Sequence, residues 1–312
     1  MQEKSSYRQI IKATSLFGGV QIFSIIISII RSKFVALLLG PKGMGIVGLF
    51  MSSISLVSNL TNFGLQTSAV RDIADSVGAK NLKKVAVRIL ILRRLVWLTG
   101  LLGSTLTILF SSYLSQFTFG NKDYKSAFIW LSVTLLINQL SVGQIVVFQS
   151  LRKLKLLAKS SVFGSFFSLL IIIPIYYYFG EKGIVPVIIT TSVTTLIFNW
   201  FFSRKIYLEK VNVNISETYK EGRNMMTVGF MISLSSFTTV AVSYLVRIYI
   251  SKSGNIDDVG LYNAGFMIIG TYVGLLFTAM GTDFYPKLSE YANNNRKSKI
   301  LINHQAEITL LI

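Results

Sequence analysis

Three cations stand inside apolar runs of this sequence: Arg31, Lys33 and Arg247. Charge in hydrocarbon is costly, so an intramembrane arginine or lysine marks a pathway, a pair or a ligand. Gln21, Ser24, Ser28 and Arg31 are spaced 3, 4 and 3, which puts them on one face of a helix; Ser236, Thr239, Ser243 and Arg247, spaced 3, 4 and 4, do the same. Each stripe is polar and ends in a guanidinium, whose fork of donors matches the oxygens of a phosphate or carboxylate. Of the thirteen acids, eleven lie in tails or connections, and Asp283 and Glu307 sit close to one end of their runs, so none neutralises Arg31. An unpaired arginine at such a place faces water, another helix or an anionic ligand. The chemistry this offers is anion binding in a cavity positive toward its outer half. The opposing reading is that the hydroxyls bond their own backbone and each arginine reaches back to the interface. Arg31 stands nine residues before Gly40, about 13 Å down the axis and near the middle of a core of roughly 30 Å, which is far to reach. Arg247 is close to the Ser251-Lys252-Ser253-Gly254 turn, and there both readings hold. Lys33 is about 200° around the helix from Arg31 and reads first as a side chain reaching the interface, second as cavity wall.

The elements that must carry these residues are membrane-spanning helices. Hydrophobic residues make up 52% of the chain and charged ones only 14%, mean hydropathy is +0.58, and apolar runs of about 20 residues recur. This is an all-α polytopic membrane protein. Eight spans are expected near residues 10 to 39, 43 to 68, 88 to 113, 125 to 150, 158 to 179, 183 to 203, 224 to 251 and 258 to 282, with a ninth beginning near Leu301 and cut short at Ile312. The sequence therefore reads as a piece of a longer chain. The first run is too long for a signal-peptide core and is taken as a retained span. Besides the three intramembrane cations, twenty-three lysines and arginines fall in the N-terminus and the connections after even-numbered spans, against five on the other side. That asymmetry places the N-terminus in the cytoplasm. The net charge of +18 is thus mostly topology with attraction to anionic headgroups, and not a sign of nucleic acid.

Neutral polar residues form two more rows: Ser52, Ser55, Asn59 and Asn62 in the second span, and Asn138, Ser141 and Gln144 in the fourth. They suit sugar hydroxyls and suit helix-to-helix hydrogen bonding equally well. Tyr176-Tyr177-Tyr178-Phe179 reads as an interfacial aromatic belt. Cysteine is absent, which excludes disulfides, thiol catalysis and thiolate metal sites; His304 is the only histidine, and no metal or cofactor is expected. No nucleotide-binding loop or nucleophile elbow occurs.

Sliding the chain on itself by about 216 residues pairs Arg31 with Arg247, Ser28 with Ser243, Ser24 with Thr239 and Gln21 with Ser236; within one residue of that offset Gly45-Ile46-Val47 falls over Gly260-Leu261-Tyr262. Two related bundles of six helices follow. Residues 1–216 form the first lobe, and 217–312 begin the second.

Gly40-Pro41-Lys42-Gly43-Met44-Gly45-Ile46, Asn62-Phe63-Gly64-Leu65 and Val70-Arg71-Asp72-Ile73-Ala74 resemble the opening of the Wzx-type O-antigen and lipid III flippases, polysaccharide biosynthesis proteins of the multidrug/oligosaccharidyl-lipid/polysaccharide (MOP) exporter superfamily. The Phe119-Gly120-Asn121-Lys122-Asp123-Tyr124 loop and the Tyr285-Pro286-Lys287-Leu288-Ser289 turn are similar to the same family. The resemblance spans the chain in the order of its helices and is specific in the first 90 residues. It implies a MATE/MOP-like fold of two six-helix lobes and no enzyme activity. The implied role is a flippase for undecaprenyl-pyrophosphate-linked oligosaccharide, such as an O-antigen unit for lipopolysaccharide, in the bacterial inner membrane. Arg31, Arg247 and Lys33 then line the family's cationic cavity, with Gln21, Ser24, Ser28, Asn59, Asn62, Ser236, Thr239 and Ser243 as its polar wall. Expected partners are the lipid-linked oligosaccharide, membrane lipids, H+ or Na+ as coupling ion, and the polysaccharide polymerase and chain-length proteins. Two alternatives stand beside it. A cation-coupled multidrug antiporter should place acids in its first-lobe cavity, and the sequence has none there. A membrane polysaccharide polymerase or ligase should have a substantial outer loop, and the outer connections are short.

Overall fold

A computed structural model describes residues 2–209, 211–270 and 295–311, with side chains from Phe23 onward apart from several in the last helix. The described residues are almost entirely helical and contain no strand. The chain divides into two units, residues 1–261 and 262–312.

In the first unit, α1 (Gln2–Thr61) is one continuous helix by its hydrogen bonds but turns sharply at Gly40, with φ 63° and ψ −171°. Pro41 causes this: its ring disfavours the helical region for the preceding residue, and glycine takes the left-handed φ that Cβ-bearing residues avoid. Residues 23–61 are 39 long and apolar, and at 1.5 Å per residue that is two crossings folded at Gly40. At the far end Asn62 Oδ1 accepts from the Gly64 N–H at 2.8 Å, and the turn places Phe63 and Gly64 at positive φ. There α2 (Leu65–Gly78) begins, buried along Leu65, Ala69 and Ile73. This stretch, expected as the end of the second span and the connection after it, is a separate helix because its apolar residues recur at helical spacing and find a surface to cover.

Asn81 caps α3 (Leu82–Leu109) by accepting from the Lys84 N–H at 2.9 Å. α4 (Ser111–Phe119) ends at Gly120; α5 (Lys125–Ser150), α6 (Leu154–Phe179) and α7 (Ile184–Ser203) complete six crossings, with a 3-10 turn at Gly180–Gly183 joining the last two. α5 packs between α3 and α7, while α6 lies against α7 and α1. Thr99 and Gln139, both buried, join α3 to α5 through Gln139 Nε2 and Thr99 Oγ1 at 2.9 Å, the hydrogen-bond glue expected between membrane helices. An aromatic cluster of Phe50, Phe119, Tyr124 and Phe128 fills the Gly40 end, and an aliphatic one around Ile73, Ile89 and Leu92 fills the Gly64 end.

α8 (Ile215–Ser253) runs across this bundle against α1, α2 and α3, and α9 (Ile256–Ile268) starts after it. The contact of α9 with α1 is reciprocal. A Cβ on Gly45 would lie 2.1 Å from the Ile256 carbonyl oxygen, and one on Gly260 would lie 1.9 Å from that of Pro41. Residues 41 and 256, and 45 and 260, differ by the same 215 positions, so the two segments meet as the halves of a two-fold pair do. In the second unit Tyr262 stacks on Phe266 at 5.7 Å, and α10 (Asn295–Leu311) is its other described helix. The second half of the expected eighth span, from residue 271, lies with Asp283 and the Tyr285-Pro286 turn outside the described residues.

Candidate functional site

α1 presents Ser24, Ile27, Ser28 and Arg31 on one face, and α7 presents Ile188, Thr191, Ser192 and Thr195 at the same spacing on another. A cavity of about 270 Å³ lies between them, with Asn138 of α5 and Ser165 and Ser168 of α6 on its walls and Met51 and Ile54 at its apolar floor. α6 packs against both α1 and α7, and α5 against α7, so the small hydroxyl residues on their facing sides leave polar groups pointing inward. Thr191 and Thr195 donate to backbone carbonyls of α7 at 3.1 and 2.9 Å, so their remaining lone pairs can accept. The volume corresponds to about nine waters at roughly 30 Å³ each. That is room for one small polar group.

Arg31 is the one cation in this wall. Its electrostatic neighbour is Tyr176 of α6, which is 3% exposed, whereas Tyr178 is 78% exposed. The aromatic run therefore splits: Tyr177, Tyr178 and Phe179 face outward as a belt does, while Tyr176 turns inward toward the arginine. The one ion pair among the described residues joins Lys42 to Glu181 at 3.2 Å, so no described carboxylate neutralises Arg31. That pair sits outside the spans. The Glu181 carboxylate, first as hydrogen-bond acceptor and then as charge, raises the Lys42 ammonium above its ordinary value. On α2, burial raises the Asp72 carboxyl, and the Arg88 charge partly offsets it.

The other expected site residues are placed as follows. Arg247 is half-buried on α8 and donates to the Ser243 carbonyl at 2.8 Å and to the Ser243 hydroxyl, away from the cavity that holds Arg31. Ser236 and Thr239 are exposed on the same helix, Thr239 bonding the Ser235 carbonyl at 3.3 Å. Lys33 is exposed on α1 and does not line the cavity. Asn59 donates to the Ser55 carbonyl at 3.0 Å, and Asn62 forms the turn before Gly64. The Gln21 side chain lies outside the described residues. The hydroxyl face of α7 was not singled out in the sequence, although Thr190-Thr191-Ser192-Val193-Thr194-Thr195 is the densest run of hydroxyls inside any span.

The profile of the polysaccharide biosynthesis protein family matches residues 10–292. The chain belongs to that family. No curated protein matches the sequence. Among solved structures, this member of the polysaccharide biosynthesis family is similar to a multidrug resistance MATE family transporter of the MOP superfamily in its inward-facing conformation. The TM-score is 0.69 at 15% identity, over 93% of this chain and 66% of that one. At that identity the likeness shows the fold, which is MATE/MOP-like and all-α. The chain spans slightly less than two thirds of the transporter's length. Family, fold and apolar helices make it a multi-pass membrane protein.

Proposed function

We propose that this protein moves an undecaprenyl-pyrophosphate-linked oligosaccharide, of the O-antigen kind, from the cytoplasmic to the outer leaflet of a bacterial inner membrane by alternating access. The observation that carries the reading is Arg31, set without a carboxylate partner among the described residues in a cavity of serine, threonine and asparagine side chains. Its guanidinium offers the fork that two diphosphate oxygens accept, and the hydroxyls and Asn138 suit the first sugar. A cavity this small takes the charged head while the rest of the glycan stays in water. An apolar groove of about 640 Å³ between α3 and α8, lined by Phe63, Leu98, Met226 and Phe230 with Arg223 at its rim, suits the polyprenyl tail.

Arg247, 216 positions after Arg31, is the second cation of the proposed path and meets the substrate when the Ser243 bonds open. Residues 1–216 serve as one lobe and 217–312 as the start of the other. The reciprocal seam of Pro41–Gly45 with Ile256–Gly260 supports this pairing. In this reading the basic connections and the N-terminus face the cytoplasm, H+ or Na+ couples the cycle, and polymerase and chain-length proteins receive the product. A drug antiporter handling cations requires an acid where this cavity carries an arginine.

In cells lacking their own flippase, Arg31→Ala in the full-length protein abolishes surface polysaccharide while its membrane abundance stays at the wild-type level. Normal surface polysaccharide in that variant overturns the proposal.

A further inference from the structure

A second cavity, of about 610 Å³, lies away from the Arg31 site, in the groove between α3 and α7 over α5. Its walls carry Arg93 and Trp97 on α3, Trp200, Ser203 and Arg204 on α7, and Gln144 on α5. The two helices run in opposite directions here. α3 enters the bundle from the basic connection that holds Lys83 and Lys84, and α7 leaves it toward Arg204 and Lys205. Each arginine therefore stands at the rim, and each tryptophan four residues, about one turn, deeper. The tryptophans are half exposed, at 51% and 50%, as rings at a membrane interface are.

The arginines nearby are used differently. Arg88 is tied to the Asp72 carbonyl, and Arg94 donates to the Val213 carbonyl at 3.1 Å and the Thr218 hydroxyl at 2.5 Å. Arg93 has no hydrogen bond or ion pair with a described residue, and Arg204 lies over the Trp200 ring at 4.5 Å with its donors free for another partner. Gln144 Oε1 is buried without a hydrogen-bond partner among the described residues. A buried acceptor left unmatched is costly unless a ligand or water supplies the donor.

Two cations at the rim, two interfacial rings one turn below and one orphaned acceptor make a fixed set of requirements. The ligand must carry a phosphate, hydroxyl donors beside it and acyl chains that run down past the tryptophans. We propose that this groove is a binding site for an anionic phospholipid whose headgroup carries hydroxyls, of the phosphatidylglycerol class. Basic pockets between helices at the cationic face of a membrane protein bind such headgroups by the same logic. Zwitterionic phosphatidylcholine has no donor for Gln144 and no net charge for the arginines.

Residues 1–312 hold three tryptophans, so Trp130→Phe, with phenylalanine at any tryptophan outside them, leaves tryptophan fluorescence only at Trp97 and Trp200. The full-length Trp130→Phe protein is reconstituted in vesicles of phosphatidylcholine containing a small fraction of either brominated phosphatidylglycerol or brominated phosphatidylcholine. Brominated phosphatidylglycerol quenches as if enriched about thirtyfold at the site, since each of the two arginines contributes about 1 kcal/mol. Arg93→Gln with Arg204→Gln removes the preference. Equal quenching by the two lipids overturns the proposal, whether or not the double variant folds, and so does a preference that survives the double substitution. Displacement of the brominated phosphatidylglycerol by a trace of undecaprenyl pyrophosphate also overturns it, since the groove then belongs to the transported substrate.

Discussion

The stripes on α1 and α8 have nearly the same sequence pattern and different surroundings. Ser24, Ser28 and Arg31 face α5, α6 and α7 and wall a polar cavity. Ser236 and Thr239 are exposed, and Arg247 spends donors on the Ser243 one turn before it. One residue of spacing contributes to the difference. Ser28 to Arg31 is a step of three and Ser243 to Arg247 a step of four, and only the latter has the guanidinium folded back on its own helix. A shared pattern thus fixed which residues share a face, while the helices packed against that face decided whether it became a cavity.

The strongest way to break the comparison is to remove each arginine in turn. Arg31→Ala is expected to lower transport of a lipid-linked oligosaccharide into proteoliposomes by about a hundredfold or more, because two charge-assisted bonds of roughly 1.5–3 kcal/mol each are lost. Arg247→Ala lowers it by about tenfold, since that side chain must first leave Ser243. Equal losses would show that the two arginines act as one symmetric pair and that their unlike surroundings do not matter.

The seam where the repeats do match gives the next largest effect. Gly45→Ala and Gly260→Ala each force a methyl into a carbonyl oxygen about 2 Å away, a clash of about 1–3 kcal/mol. Both are expected to lower the melting temperature of the purified protein by similar amounts. A cost at one position alone means that the contact is not reciprocal.

Smaller effects separate the hydroxyl faces. Ser192→Ala and Thr195→Val on α7 each reduce transport about threefold, from loss of roughly 0.5–1 kcal/mol of hydrogen bonding. Ser236→Ala and Thr239→Val leave it near wild type in the same proteoliposome measurement. Last, Lys42→Gln tests whether position rather than charge count matters, and transport is expected to be unchanged. Glu181 raises Lys42 above its ordinary value. The pair's contribution is therefore whole below the unfolded lysine value of about 10.4 and is lost only as pH rises through the higher folded value. The difference in thermal melting between wild type and Lys42→Gln stays flat across the neutral range and closes in alkali.

Much of this architecture was legible beforehand. Gly40-Pro41 marked the bend in α1, because proline constrains the residue before it wherever it stands. The apolar runs marked the crossings, because their length must match a membrane core. The extra helix α2 was harder to see, since a short amphipathic run gains stability only from the surface it covers, here α3, α5 and α8. At the site, Ser24, Ser28 and Arg31 were read as one face, but their partners Thr191, Ser192 and Thr195 lie some 160 residues away, and no local period joins two distant helices. The fourth-span row divided for the same reason: Asn138 lines the Arg31 cavity and Gln144 lines the groove of Arg93 and Arg204.

Residue type and spacing by themselves set the helices, their polar faces and the bend at Gly40, because these depend on the backbone's own period and on the membrane's thickness. Only the packed structure decided that Arg31 faces a cavity while Arg247 turns to Ser243, that Tyr176 looks inward while Tyr178 looks out, and that Gly45 and Gly260 form a reciprocal seam. Those outcomes depend on which faces meet, and that is settled by close packing between segments far apart in the chain.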